Sequence, residues 1–134
     1  MDAVWYPTDM VFIGGLWREA AGHLPVEDPS TGETVGRIAR GGAADIDDAV
    51  AAAEAARRGA WGRMTATERG RVLTRIGRLV LDRVEDLARI EATDVGKPLT
   101  QARADAVALA RYLEFYGGAA DKVMGETIPY LDGY

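Results

Sequence analysis

The order of apolar and polar positions divides the chain into a strand-forming start and a helical remainder. In MVFIGGLWREA, apolar residues flank Gly14-Gly15, a pair able to supply the positive φ angles of a two-residue turn, and a β-hairpin is predicted over Val11 to Arg18. The residues after it read as loop up to VEDPSTGETVGRIA, where Asp28 to Gly32 form a turn signal and Thr34 to Ala39 a half-buried strand. Asp45 is then placed to cap a helix with apolar positions Ile46, Ala49, Val50, Ala53 and Ala56, ending near Gly59. Thr65-Ala66-Thr67-Glu68 is a capping box, and Val72, Leu73, Ile76, Leu79 and Val80 mark one face of the helix it opens. The period runs on through Val84, Leu87 and Ile90, with a bend near Asp82, until Gly96 offers a left-handed stop and Pro98 bars helix from the residue before it. Pro98 also starts a further helix, with Ala102, Ala106, Leu109, Ala110, Leu113 and Tyr116 on one face, in which Gly117-Gly118 either weakens the helix or permits close packing. Residues 126–134, carrying Pro129, suit an edge strand.

Composition narrows the classes. At 134 residues, 48% apolar and 28% charged, the chain reads as one small globular α/β unit. Its net charge is −5, and the 16 Lys and Arg are interleaved with 21 Asp and Glu instead of forming a basic stripe, so nucleic acid is not an expected partner. Cysteine is absent, which removes disulfides, thiolate metal sites and a cysteine nucleophile from this chain. No apolar run approaches the ~20 residues of a membrane span. The start MDAVWYPTDM lacks the basic and apolar stretches of a signal peptide, so no membrane association and a cytoplasmic location are expected.

Candidate chemistry is sparse. His23, the single histidine, falls in the predicted loop with no partner nearby in sequence and reads as a surface residue. Ser30 lies in a turn, where its hydroxyl is expected to bond backbone, and no GxSxG elbow is present. Acidic groups such as Asp45, Asp47 and Asp48 stand at helix starts, where the dipole favours them. Gly96-Lys97 lacks the upstream glycine and following Ser or Thr of a phosphate loop, and Lys97 reads as a solvated lysine. Trp5, Trp17 and Trp61 read as core or interface anchors. The residues by themselves therefore describe an α/β module with no catalytic and no cofactor-binding residue.

Five ordered segments carry a resemblance. FIGGLWREA is similar to the opening hairpin of the aldehyde dehydrogenase superfamily, and VEDPSTGETVGRIA to its NPxTGE turn and following strand. WGRMTATERGRVLTRIGRLV, from Trp61, resembles the family's WxxxxxxxRxxxLxxxAxxL helix. IEATDVGKPL resembles its E-x-x-x-x-GKP segment, and YLEFYGGAADKVMGETIP its YYAGxADKxxGxTIP. The resemblance implies that residues 1–125 form the helical and hairpin periphery of a Rossmann-like cofactor domain, and that residues 126–134 begin an oligomerisation hairpin.

It also implies a chemistry. Family members oxidise aldehydes to acids with NAD or NADP through a cysteine thiolate, with a glutamate activating the hydrolytic water. Those groups lie beyond the segments matched here, so the isolated chain is expected to be inert. The implied partner is the remainder of the dehydrogenase, or a complementary chain, in a dimeric or tetrameric enzyme. Two other readings stay open: a structural subunit or binding module complementing a separate catalytic polypeptide, and a truncated product without a function of its own.

One family site reaches into this chain. By resemblance, the backbone carbonyls of Val26 and Glu27 and the carboxylate of Asp94 correspond to ligands of a monovalent cation. Asp28 and Glu27 depart from the family's usual Asn and apolar residue, but any residue supplies a carbonyl, and an added carboxylate nearby favours a cation. Asp94 has a plainer reading, as a helix-terminal Asp bonding backbone, although a negative charge there opposes the dipole by ~0.3–1 kcal/mol.

Overall fold

The computed structural model describes residues 7–125. Two separate antiparallel hairpins come first, β1 (Met10–Ile13) with β2 (Leu16–Glu19), and β3 (Gly22–Glu27) with β4 (Thr34–Arg40). Gly14 and Gly15 take φ of 61° and 85°, the backbone demanded by the tight turn predicted for them. Across that turn Phe12 faces Trp17, their rings 4.8 Å apart.

β3 replaces the predicted loop before Asp28. Gly22 and Pro25 have poor strand propensity, but in a two-stranded hairpin every strand is an edge, and Pro25 sits opposite Arg37 without interrupting a second ladder. His23 is therefore a strand residue, exposed as expected, and its Nε2 donates to the Asp9 carbonyl at 3.1 Å. In the β3–β4 turn, the Asp28 carbonyl accepts from Gly32 N–H at 2.8 Å, and the Asp28 side chain accepts from Ser30 N–H at 2.8 Å. The hydroxyl that bonds backbone is not that of Ser30 but that of Thr31, which accepts from Glu33 N–H at 3.2 Å.

Helices α1 (Ala43–Arg58), α2 (Ala60–Arg63), α3 (Ala66–Leu81), α4 (Val84–Val95) and α5 (Leu99–Ala119) follow. Gly42, not Asp45, is the N-cap of α1; Asp45 lies three residues in and accepts from Gly42 N–H at 2.7 Å, the return half of a capping box. The α3 capping box forms as predicted, with Glu68 N–H donating to the Thr65 hydroxyl at 3.2 Å and Thr65 N–H to the Glu68 carboxylate at 2.7 Å. Arg69 Nη1 secures the same entry by donating to the Met64 carbonyl at 2.6 Å. The bend expected near Asp82 is a full break between α3 and α4, and Gly96 closes α4 at φ 71°.

The centre is a trio of α3, α4 and α5, closed by small residues. A Cβ on Gly70 would stand 2.2 Å from the Gly117 carbonyl oxygen, and one on Gly77 would stand 3.0 Å from that of Ala110. The α3–α5 crossing is thus a backbone-to-backbone seam, which gives Gly117 the close-packing role, while Gly118 faces open space. Ala88, Ala102, Ala106 and Ala110 fill the rest. Among the described residues Ile13 is the one large apolar side chain that is buried. Trp17 and Trp61 are both 42% exposed, so neither is a core anchor, and Trp5 lies outside the described residues, as does the strand predicted at 126–134.

Candidate functional site

The sequence-predicted site residues lie at the end of β3 (Val26 and Glu27) and in the last turn of α4 (Asp94). Val26 is half-buried and Glu27 exposed at the end of β3. The β3–β4 register slips between them: Val26 opposes Gly36 and Glu27 opposes Thr34, leaving Val35 as an extra residue. Such a bulge disrupts the ladder opposite the two carbonyls at issue. Asp94 is exposed in the last turn of α4, two residues before Gly96, and makes no hydrogen bond or ion pair with a described residue. The backbone bond that would have explained it as a helix-terminal Asp is not formed.

Gly96 connects the two parts. A Cβ there would lie 2.8 Å from Pro29 Cγ and 3.7 Å from the Ser30 hydroxyl, so the β3–β4 turn seats directly on the left-handed end of α4. Left-handed φ and this close approach both require glycine. Among the described residues no group of three or more His, Cys, Asp or Glu side chains gathers as for a metal ion. Asp94 thus brings to the end of α4 a carboxylate with no partner among the described residues.

Lys97, next in sequence, is not a solvated lysine. Its ammonium donates to Glu91 Oε1 at 2.5 Å and Asp105 Oδ2 at 2.7 Å, clasping α4 to α5 across the Gly96-Lys97-Pro98 turn. The Asp105 bond, then that of Glu91, raises the Lys97 pKa. The Lys97 bond, then that of Gln101, lowers the Asp105 pKa. Arg103 adds a forked contact to Glu85, at 2.7 and 3.0 Å, between the same two helices.

Two open grooves mark the surface, one along α3 and one across β3–β4 lined by His23, Leu24, Pro25 and Thr34 to Arg37. Neither pairs a nucleophile with a base, and the chain has no cysteine. The α3 groove is lined by Arg71, Arg75 and Arg78 together with Glu68, Met64 and Val72, so acid and base remain interleaved there.

Comparison with known proteins agrees with the five segments. The profile described as the aldehyde dehydrogenase family matches residues 17–134. Aldehyde dehydrogenase family 2 member B4, mitochondrial, from Arabidopsis thaliana is 42% identical over 130 residues, covering 95% of this chain and 24% of that protein. A candidate aldehyde dehydrogenase from Burkholderia cenocepacia superposes with a TM-score of 0.85 at 58% identity, over 90% of this chain and 26% of the other. Betaine aldehyde dehydrogenase from Staphylococcus aureus, a mutant in complex with NAD+, gives a TM-score of 0.84 at 30% identity, over 92% and 26%. The chain spans about a quarter of the length of each of these relatives.

Proposed function

Because this chain belongs to the aldehyde dehydrogenase family, we propose that it supplies scaffold to an NAD(P)-dependent aldehyde dehydrogenase and is catalytically inert alone. The observation that carries this reading is the uncovered apolar surface of the α3–α5 pair. Ile76 and Leu79 on α3, and Leu109, Tyr112, Phe115 and Tyr116 on α5, are between 41% and 67% exposed. Measured from the glycine seam at ~100° per residue, both groups fall on the same side of the antiparallel pair. Contiguous apolar surface of this kind marks an interface. The complementary surface is assigned to the remaining three quarters of the family fold, including the Rossmann-like sheet.

In this reading the nicotinamide cofactor, NAD or NADP, accepts a hydride in the complete enzyme, and no residue of this chain is assigned to hold it. The chain's own residues fix a frame: the Lys97 clasp sets α4 against α5, and Gly96 holds the β3–β4 turn. The Val26 and Glu27 carbonyls and the Asp94 carboxylate are proposed to share a monovalent cation at that corner, supported by the bulge and by an Asp94 that pairs with no described residue. A homo-oligomeric cytoplasmic enzyme completes the proposal, although the Arabidopsis relative is mitochondrial by name. The same apolar face favours a second reading, in which the chain is a subunit complementing a separate catalytic polypeptide.

The test is aldehyde-dependent reduction of NAD+ or NADP+ by the purified 134-residue chain. No turnover above the buffer blank is expected. Appreciable turnover from a polypeptide without cysteine would sink the proposal. For the cation, ²³Na and ²⁰⁵Tl NMR line broadening is expected with the wild-type chain and lost in Asp94→Asn; equal broadening in both would remove Asp94 from the site.

A further inference from the structure

The turn between α4 and α5 does two things at once. Gly96 receives Pro29 on a backbone at φ 71°, and Lys97, the next residue, reaches Glu91 on α4 and Asp105 on α5. Glycine accepts both the left-handed φ and the close approach, but it is also the residue least able to hold a conformation by itself. Pro98 fixes the far side of the turn, at φ −55°. The near side is restrained by the Lys97 ammonium, part-buried between two carboxylates, with Asp105 steadied in turn by Gln101 Nε2 at 2.8 Å.

The β3–β4 hairpin is pinned unequally along its length. Towards its open end Ala39 N–H donates to the Thr8 carbonyl at 2.9 Å, Arg37 pairs with Asp9 at 3.4 Å, and His23 meets the Asp9 carbonyl. Its closed end is bonded to itself, through Asp28 N–H to the Glu33 carbonyl and Gly32 N–H to the Asp28 carbonyl, and Pro29 and Ser30 rest on the helices at Gly96. That end of the hairpin therefore goes where the Gly96 backbone goes. Val26 and Glu27, the two residues before Asp28, go with it.

We infer that Lys97 is a positioning residue for the β3–β4 turn: by tying Glu91 to Asp105 it fixes the Gly96 backbone, and with it the seat of Pro29. A second ion pair between the same helices separates this role from ordinary helix packing. Arg103 on α5 is forked to Glu85 in the first turn of α4, at the opposite end of that helix from Gly96. If α4–α5 packing alone set the seat, the two ion pairs would be interchangeable. The inference needs neither a bound cation nor the dehydrogenase reading.

The experiment reads the seat directly, by NMR on the full chain, as the NOE between Pro29 Hγ and Gly96 Hα. This NOE is expected in the wild-type chain and lost in Lys97→Met, where Glu91 and Asp105 are left to repel each other. Asp105→Asn, which keeps an oxygen for the ammonium and leaves one carboxylate in place, should weaken it. Arg103→Gln should retain it. The NOE between the Hα protons of Gly70 and Gly117 reports the α3–α5 seam and is expected to persist in all three variants. Absence of the Pro29–Gly96 NOE from the wild-type chain, an unchanged NOE in Lys97→Met, equal loss in Arg103→Gln, or loss confined to variants that also lose the seam would each overturn the inference.

Discussion

α1 and α3 are both sixteen residues long, and both place apolar residues at helical spacing, but α3 buries Gly70 and Gly77 whereas α1 buries nothing. Ile46 and Val50 of α1 stay 63% and 59% exposed. The difference does not lie in the apolar residues. α3 is held by its glycines, which let its backbone approach α5, and its own apolar face is left half uncovered like that of α1. Apolar periodicity therefore marks the faces that need cover, while small residues mark the contacts made within this chain. A chain that closes itself with Gly and Ala and leaves Ile, Leu, Tyr and Phe outside is built to be packed against.

The hardest strain on this contrast comes from filling the seam. Gly70→Val puts a branched side chain where even a Cβ would be 2.2 Å from the Gly117 carbonyl oxygen. It should destabilise the trio by about 3 kcal/mol in chemical denaturation followed by circular dichroism. Gly118→Ala, in open space on the same helix as Gly117, should instead stabilise by up to about 1 kcal/mol. If the two changes behaved alike, the seam would not be what holds α3 to α5.

Next is the entry to α3, which has the side-chain cap that α1 lacks. Thr65→Ala should cost about 1 kcal/mol in the same measurement. A smaller loss is expected for Lys97→Met, and its pH dependence is diagnostic. The Asp105 pKa is held below its ordinary 3.8 by Lys97, so its stabilisation is present above that value and lost as pH falls through the lowered one. The Lys97 pKa is raised above 10.5, so its contribution is present below that value and lost as pH climbs through the raised one. In Lys97→Met the acid-side fall in melting temperature should flatten. The smallest effect, within about 0.5 kcal/mol, is expected for Val50→Ser on the open face of α1.

Much of this was legible from residues. The Gly14-Gly15 turn, the Thr65 capping box and the Gly96 stop each have a local signature, because each is decided within four residues of chain. β3 was not legible, because Pro25 argues against a strand until its edge position is known. The role of Lys97 was hidden for a different reason: its partners Glu91 and Asp105 are on two helices brought together only by the turn between them. The glycine seam of α3 was not legible, because periodicity scores apolar side chains and is blind to glycine. Of the candidate site, Val26, Glu27 and Asp94 came from resemblance and not from spacing. That Pro29 rests on Gly96, and that Asp94 has no partner among the described residues, required coordinates.

The central claim is that the apolar face of the α3–α5 pair is an interface for the rest of a dehydrogenase. The most direct measurement mixes this chain with the separately produced remainder of the Burkholderia cenocepacia relative, 58% identical in the shared part, and maps Tyr112, Phe115 and Tyr116 by hydroxyl-radical footprinting. A stable complex is expected in which all three rings become protected. A chain that remains a monomer beside the remainder, with the three rings labelled as fully as in isolation, would contradict it.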